Sequence, residues 1–541
     1  MPLAEICNAR NGQVPCSARL DRHVLHSRHV RRQAGHCSIP RSLHRKRRQC
    51  TLCCVGCSAS QSPLQISEST WLQSFVEWLH GNRVTGLIQP DAKLALYEAE
   101  DKAGPAERGV IFTGSAKEGE LLARVPLRLA VWDRGAELHR QCPGLTELGC
   151  LALLLLEEIR LGNESSRWPW LRVLPQEVAS LYGAYPAAMY EELQGSVPAT
   201  DLAKAEHRAA QQQAAAADQP RGGTFPVEQW RWALSVVHSR ALAVPGPEGL
   251  VVPMLVPLID MFNHGGLQTR MLLSDPAEPQ HNVRWDVVST DAGTWEMQVV
   301  ATSAVSEGEE ALLTYGDHPN AHFLLHYGFV QSRNPFDEAV LFSSLPQALQ
   351  WAIDTRPPQS VKDATSKRVG ERCQAATAAA AAAEAEQSGA SMHPDELEKA
   401  PLQRLYAGGR IDTRLYAALL LLHGGTEAEA TDYVGACVRT RCEELLAQSA
   451  WTSLEDDLKH LEQHCQDSNE PPYFRALLQH YEAECRRQGL KELEASCDRK
   501  VIPDSSAACR QAHMAALQLR VSQKMLLWDC VLATGKREPR V

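Results

Sequence analysis

The sequence lacks an apolar run long enough to cross a bilayer, an excess of positive charge, and the cysteine spacing of a small disulfide scaffold. Its apolar stretches at 148–156 and 249–262 fall short of the roughly 18–20 residues that a membrane helix needs. The formal net charge of −10 gives no global attraction to nucleic acid. The 17 cysteines are odd in number and scattered, which favours a reducing compartment. We therefore expect neither a membrane nor a nucleic-acid partner, and the length of 541 residues predicts two or three domains.

Residues 1–60 differ in composition from the rest of the chain. Glu5 and Asp21 are the only acids there, against eleven arginines and lysines. Acid-poor, Arg-rich N-termini of this kind are typical of organelle transit peptides. Two other interpretations stay open: a nuclear signal or phosphate-binding patch at "HRKRRQC" (44–50), and a zinc site in "CTLCCVGC" (50–57), where four close thiols without a second half-site fit a closed tetrahedron poorly. We predict a transit peptide or a disordered basic segment for 1–60.

The folded part is predicted to begin with a helix over Ser67–His80, because four apolar residues recur there at helical spacing: Trp71, Phe75, Val76 and Leu79. Short strands follow at 109–112 and 120–126, and the polar turn between them predicts a hairpin. A helical insertion is expected at about 144–223. An amphipathic helix then ends near Arg240, since its apolar residues step by three or four.

Strand signals return in the segments at 250–262, 295–305 and 310–316, each bounded by Gly, Asp or Ser. An Ala-rich tract marks a linker at 375–392. Beyond it the pattern is helical throughout from about residue 393 to 533, and no internal repeat is present. The predicted fold class is α+β, with a mostly-β domain over 67–335 and an all-α domain over 393–535.

Asn263 and His264 end an apolar segment, "LIDMFNHGG" (258–266), that already contains Asp260. The simplest interpretation is a strand that turns at 263–266. Main-chain groups at a strand end must find hydrogen-bond partners, and a turn satisfies only some of them. The segment therefore leaves open what else meets its polar groups.

Four segments in a fixed order resemble SET-domain methyltransferases of the branch that includes the Rubisco large-subunit lysine methyltransferase. They are "ERGVIFTGSAKEGELLARVP" (107–126), "LALLLLEEIRLGNESSRWPWLRVLP" (151–175), "WRWALSVVHSRAL…PLIDMFNHGG" (230–266) and "EGEEALLTYGDHPNAHFLLHYGFV" (307–330). The C-terminal region is similar to the helical substrate-docking domain of that branch. The resemblance implies a SET domain of short, pseudoknotted sheets with a helical insertion.

The resemblance also implies S-adenosylmethionine as cofactor. It places Asn263 and His264 beside a later Tyr-bearing strand, where they would contact the cofactor chiefly through main-chain groups and the Asn side chain. It places Arg108 and Gly109 in the first cofactor loop, where Gly lets the backbone come close. Arg240 would pair with the cofactor's carboxylate, although on sequence alone it is equally a solvated cation at a helix end.

Tyr315 matches the catalytic tyrosine of the branch, and the reaction needs no metal. Tyr327 would line the substrate channel with Phe329 behind it, or would be a buried structural tyrosine. Leu242 would form part of the channel wall. An actin histidine methyltransferase of the same branch has Asn at the position matching Leu242, and an apolar residue suits the alkyl stem of lysine better than an imidazole.

These features predict a protein-lysine methyltransferase acting on a non-histone protein, and we expect a monomer. A histidine acceptor and a degenerate SET fold that binds a partner are the alternatives. No C-x-C cluster follows Val330, which argues against a zinc-dependent chromatin enzyme. With a transit peptide the expected location is the chloroplast, and otherwise the cytoplasm or nucleus.

Overall fold

The computed structural model describes residues 70–87, 92–99, 107–178, 225–245, 251–270, 275–290, 293–358, 370–378, 402–447, 452–464 and 507–533, together with a few isolated positions. Residues 1–60 and most of the predicted linker at 375–392 lie outside this set, as does much of the insertion expected at 144–223. Among the described residues, no helix has the length and apolarity needed to cross a membrane.

Helices dominate the two ends of the described chain, and short strands occupy its middle. The helices are α1 (Thr70–Gly81), α2 (Glu137–Gln141), α3 (Glu147–Leu161), α4 (Trp168–Leu171), α5 (Val227–Arg240), α6 (Asn320–His326), α7 (Leu345–Thr355), α8 (Thr413–His423), α9 (Glu427–Leu446), α10 (Leu454–His464) and α11 (Ala507–Ala533). The strands are β1 (Leu94–Ala99), β2 (Glu107–Phe112), β3 (Leu121–Pro126), β4 (Leu242–Pro245), β5 (Val251–Met254), β6 (Asn263–His264), β7 (Leu267–Thr269), β8 (Ala277–Pro279), β9 (Val283–Ser289), β10 (Trp295–Ala301), β11 (Leu312–Leu313), β12 (Glu338–Phe342), β13 (Gln403–Tyr406) and β14 (Arg410–Ile411).

The strands form several small sheets rather than one large one. Antiparallel pairs join β1 to β2, β4 to β5 and β7 to β8, and β10 lies between β3 and β9. The hairpin predicted from 109–112 and 120–126 is therefore wrong, because β2 pairs with β1 and β3 pairs with β10. Both segments are strands as expected, but a polar turn between two strands does not decide which strand each one pairs with.

The C-terminal part is mainly helical and contains one short sheet. Residues 403–406 and 410–411 form β13 and β14, and β13 pairs with both β12 and β14. β12 packs into the core of the C-terminal part through Ala339, Leu341 and Phe342. This corrects the expectation of helix throughout from residue 393. Gly408 and Gly409 make the turn, with φ values of 81° and 78° that glycine adopts without strain. Paired positive φ angles are typical of tight hairpin turns, so this Gly-Gly pair was a readable signal.

Helix α11 joins two apolar cores. Its residues Ala512, Ala515, Ala516 and Leu519 pack into the core of the N-terminal part. Its residues Met514, Leu517, Val521 and Met525 pack into the core of the C-terminal part. Each set recurs at helical spacing, so two faces of one helix are buried against different domains. The C-terminal helix is therefore positioned to influence elements of the N-terminal domain.

Candidate functional site

The site is built where β6 and β11 pair in parallel. Asn263 lies opposite Leu312 and His264 opposite Leu313. The pairing continues through the Gly265 N–H, which donates to the Leu313 carbonyl at 2.6 Å. Two segments about fifty residues apart in the chain thus run side by side. This brings Asn263 and His264 next to Tyr315, which follows β11.

Hydrogen bonds fix Tyr315 at both its side chain and its main chain. The hydroxyl donates to the Phe262 carbonyl at 2.7 Å. The main-chain N–H donates to His264 Nδ1 at 3.0 Å. Because Nδ1 accepts, the ring proton of His264 lies on Nε2, which is 2.8 Å from Gln331 Oε1. Burial lowers the pKa of His264 to about 4, so the ring is neutral at physiological pH.

Aromatic rings surround Tyr315. Tyr327 stacks on it with ring centroids 4.9 Å apart, and Phe329 meets it edge-on at 6.5 Å. Phe323 stacks on Phe329 at 5.1 Å. Burial raises the pKa of Tyr327 to about 12, so its hydroxyl stays protonated. The structure thus brings together the two tyrosines and the phenylalanine that the sequence singled out, in an environment that is largely apolar.

The amide of Asn263 has a fixed orientation. Its Nδ2 donates to the Arg108 carbonyl at 2.9 Å and to Glu310 Oε1 at 2.8 Å. Glu310 Oε1 also accepts a hydrogen bond from the Tyr97 hydroxyl at 2.8 Å. Both donor hydrogens of the amide are used, so Oδ1 is its remaining hydrogen-bonding atom. Asn263 therefore presents an acceptor at the end of β6.

Gly109 lies against three side chains that would have to move to admit a larger residue. A Cβ at this position would lie 2.7 Å from Tyr97 Cε1, 2.8 Å from Asn263 Nδ2 and 2.9 Å from Glu310 Oε1. The main chain of β2 therefore comes close to the amide of Asn263, and the segment predicted as a cofactor loop is a strand here. The close approach is made to the protein's own side chains.

The side chain of Arg108 bonds to other residues of the chain. Its Nε donates to Glu98 Oε1 at 2.9 Å, and its guanidinium lies 4.4 Å from the ring centroid of Trp71. Its Nη1 donates to the Val173 carbonyl at 3.2 Å. Only the main chain of Arg108 reaches Asn263, so any contribution of this residue to the site comes from its backbone.

Arg240 ends α5 and lies against Asp260. Its Nη1 donates to the Asp260 carbonyl and lies 3.9 Å from the carboxylate Oδ2, which also accepts from Trp170 Nε1 at 3.1 Å. Burial raises the pKa of Asp260, and the charge of Arg240 opposes that shift. The Arg240 side chain is 26% exposed and is held against Asp260. Its buried Nε has no hydrogen-bond partner among the described residues.

Leu242 is the first residue of β4, two residues beyond Arg240. It lies opposite Met254 of β5 and packs, partly buried, against the N-terminal core. The structure thus places it at the end of the helix that carries Arg240.

The sequence interpretation missed Glu310 and Gln331 and did not identify the partner of Asp260. Glu310 holds Asn263 and Tyr97, Gln331 holds His264, and Asp260 meets Arg240. Glu310 and Tyr97 are 213 residues apart in the chain, so no local pattern connects them. A signal for Asp260 was present, because an acid inside an apolar segment needs a partner.

Four histidine rings lie in contact beside the aromatic cluster, two pairs stacked and one tilted. The ring centroids of His238 and His326 are 4.7 Å apart, those of His326 and His322 4.5 Å, and those of His322 and His318 4.1 Å. His322 and His326 lie one turn apart on α6, and His318 precedes that helix. His238 comes from α5, so this histidine column joins α5 to α6. No group of His, Cys, Asp or Glu in the described part of the chain is arranged to hold a metal ion.

Comparison with known proteins identifies the fold. No protein-family model matches the chain. The SET domain of LSMT bound to lysine and AdoHcy superposes with a TM-score of 0.53 at 16% identity, covering 86% of this chain and 91% of that one. Rubisco LSMT bound to sinefungin and monomethyllysine gives a TM-score of 0.51 at 17% identity, with the same coverage. The chain has a SET fold. It also has a helical C-terminal part, as the sequence predicted.

Curated proteins with matching sequences are named for a methyltransferase activity. The chain is 28% identical over 249 residues to the actin-histidine N-methyltransferases of Papio anubis and Homo sapiens. It is 27% identical over 254 residues to that of Danio rerio. Each match covers 42% of this chain. The chain spans about 38% of the length of these relatives, so their activity is not carried over directly.

Proposed function

We propose that this chain is an S-adenosylmethionine-dependent protein methyltransferase and that Tyr315 is its catalytic residue. The observation that carries the proposal is the pairing of β6 with β11. It places the oriented hydroxyl of Tyr315 and the acceptor Oδ1 of Asn263 at one strand end. The names of the matched relatives and the SET fold support the same reaction class.

The residues at the site fit S-adenosylmethionine. Its carboxylate needs a cationic donor, and the buried Nε of Arg240 lacks a partner among the described residues. Its ammonium needs an acceptor, which Asn263 Oδ1 provides. Main-chain groups of Arg108, Gly109 and His264 lie around Asn263 and would complete the contacts. When bound, the cofactor supplies a methyl group activated by its positive sulfur.

Tyr315 acts in this proposal as a hydrogen-bond acceptor. Its hydroxyl proton is directed to the Phe262 carbonyl, and its oxygen would receive hydrogen bonds from the attacking amine. The same oxygen would hold the polarised methyl group through weak C–H···O contacts. Alignment of the two reacting atoms is the main contribution of such a site, since the displacement is in line.

The aromatic cluster prepares the amine. Lysine has an unperturbed pKa of about 10.4 and is mostly charged at neutral pH, whereas only the neutral amine attacks. Tyr327, Phe329 and Phe323 exclude water around Tyr315, and burial lowers the pKa of an ammonium group. Tyr327 would line the channel, with Phe329 behind it.

We propose lysine rather than histidine as the acceptor, and the apolar Leu242 is the residue that supports it. An imidazole acceptor needs a hydrogen-bonding partner, and leucine supplies none. The names of the curated relatives favour the second candidate, a histidine acceptor. The composition of residues 1–60 supports a chloroplast location and therefore a chloroplast protein as substrate.

Leu242→Asn is expected to lower methyl transfer to lysine by about 10-fold and to raise transfer to histidine, because the new amide meets an imidazole better than an alkyl stem. The measurement uses tritiated S-adenosylmethionine with the Rubisco large subunit and actin as acceptors, followed by mapping of the labelled residue. Ala243→Asn is the matched control, since neighbouring strand residues face opposite sides. Label on histidine with the wild-type chain would reject the lysine assignment, and no label on any protein would favour the partner-binding alternative.

A further inference from the structure

The hydrogen bonds of Tyr315 continue beyond the site. Its N–H donates to His264 Nδ1, and the other ring nitrogen of His264 meets Gln331 Oε1. The main-chain N–H of Gln331 donates to Asn320 Oδ1 at 3.0 Å. Asn320 is the first residue of α6. A continuous series of hydrogen bonds therefore leads from the site residue to the start of a neighbouring helix.

Asn320 connects this series to the C-terminal helix. Its Nδ2 lies 3.1 Å from Ser522 Oγ on α11 and 2.9 Å from Asp337 Oδ2. Ser522 in turn donates its hydroxyl proton to Asp337 Oδ2. The Asn320 main-chain N–H donates to Asp337 Oδ1 at 2.9 Å. Ser522 thus completes a polar junction with Asn320 and Asp337.

The hydrogen-bonded series and the junction at its end are both buried. Asn320 is 0% exposed, His264 and Asp337 are each 1%, Gln331 is 4% and Ser522 is 8%. Buried polar groups gain from being fully paired, and each lost partner leaves a group that water cannot reach. A satisfied buried network also fixes one arrangement of its members. Change at one end of the series is therefore expected to reach the other end.

We propose that Ser522 of α11 is a positioning residue for Tyr315, so that the C-terminal helix holds the strand end that carries the site. Ser522 touches neither Tyr315 nor His264 and acts through Asn320 and Gln331. The packing of α11 into both apolar cores keeps Ser522 in register with the junction. An effect of Ser522 on methyl transfer rests on the proposed function, whereas the hydrogen bonds that link Ser522 to Tyr315 do not depend on it.

Ser522→Thr and Ser522→Val form the decisive pair, because the two side chains have nearly the same shape and differ by one hydroxyl. Thr452→Val is the matched control. Thr452 donates to Asp457 at 2.6 Å in a separate buried network of the same C-terminal domain, which includes Lys524 of α11. This control removes a hydrogen-bonded hydroxyl from a partly buried side chain of the domain without touching Asn320.

The readout is hydrogen–deuterium exchange in the full chain, followed by mass spectrometry of the peptide that contains Tyr315. In Ser522→Val this peptide is expected to exchange at least about threefold faster than in wild type, because a weakened network opens more often. Ser522→Thr is expected to restore slow exchange, and Thr452→Val to leave it unchanged. Unchanged exchange in Ser522→Val, or equal acceleration in Thr452→Val, would overturn the proposal.

Titration of S-adenosylmethionine into the wild-type chain separates this inference from the proposed function. If the cofactor does not bind but the exchange pattern appears as expected, the connection from Ser522 to Tyr315 stands and the methyltransferase proposal fails. If the cofactor binds and the three variants exchange alike, the positioning role is rejected while the proposed function stands.

Discussion

Tyr315→Phe is expected to lower the rate of methyl transfer about 100-fold while the affinity for S-adenosylmethionine stays nearly unchanged, because loss of alignment at a reacting centre costs that order of rate. The substitution removes the hydroxyl that is fixed on the Phe262 carbonyl. It keeps the main-chain N–H that donates to His264 and the ring that stacks on Tyr327. The pocket should therefore keep its shape and lose only the oxygen that meets the amine.

Tyr327→Phe is the control for Tyr315→Phe. It removes a neighbouring hydroxyl and keeps the stacked ring, so a much smaller loss of rate is expected. Single-turnover rates with tritiated cofactor, together with calorimetric affinities, compare the two variants. A Tyr315→Phe protein that transfers methyl groups at the wild-type rate would show that the hydroxyl has no part in the reaction.

The histidine column predicts strong acid sensitivity. Burial lowers the pKa of His238 to about 4 and that of His322 to about 3, and the pKa of His326 lies well below its ordinary value for the same reason. His264 adds a fourth such group, with a pKa of about 4. In the unfolded chain each of these histidines binds a proton near pH 6.5. The unfolded state therefore takes up protons first as the pH falls.

Proton linkage determines the direction in which pH changes the free energy of unfolding. Stability is fully present above the unfolded pKa and is lost as the pH falls from about 6.5 toward 4, because the unfolded state binds more protons in that window. Each histidine contributes roughly 2 kcal/mol of loss in the free energy of unfolding between pH 6.5 and 5. Asp260 and Asp337 have the opposite effect on stability. Burial raises the pKa of each carboxyl above its ordinary value, so the folded state binds these two protons more readily than the unfolded state as the pH falls.

Urea unfolding at pH 7 and pH 5 measures this loss. His322→Gln is expected to reduce the difference between the two pH values by about 2 kcal/mol, since glutamine takes up no proton. His139→Gln is the control, because this histidine is exposed on α2 and lies outside the column. A free energy of unfolding that is the same at both pH values would contradict the account of the column.

Local periodicity predicted the elements better than their partners. The three-to-four residue steps before Arg240 indicated a helix, and α5 ends at that residue. The alternation from Trp295 onward indicated a strand, and β10 begins there. The two strands expected to form a hairpin are both present, yet each pairs elsewhere. Side-chain periodicity reports which face is buried and says nothing of the strand that lies alongside.

For the candidate site too, the sequence predicted some residues and not the partners that orient them. Asn263, His264 and Tyr315 lie together in the structure as the resemblance implied. The residues that orient them come from distant parts of the chain. Glu310 holds Tyr97 across 213 residues, and Asn320 meets Ser522 across 202. Such contacts depend on how whole elements pack, so a single sequence carries no pattern from which they could be derived.

The central claim is that the end of β6 holds S-adenosylmethionine, and calorimetric titration of the cofactor into the full chain tests it most directly. We expect micromolar binding by the wild-type protein and none by Asn263→Ala, which loses the acceptor Oδ1. Asn82→Ala is the matched control, because that asparagine lies at the end of α1 and bonds to Trp78 and Arg128 instead. A well-folded wild-type protein that does not bind the cofactor, or an Asn263→Ala variant that binds it as wild type does, would contradict the claim.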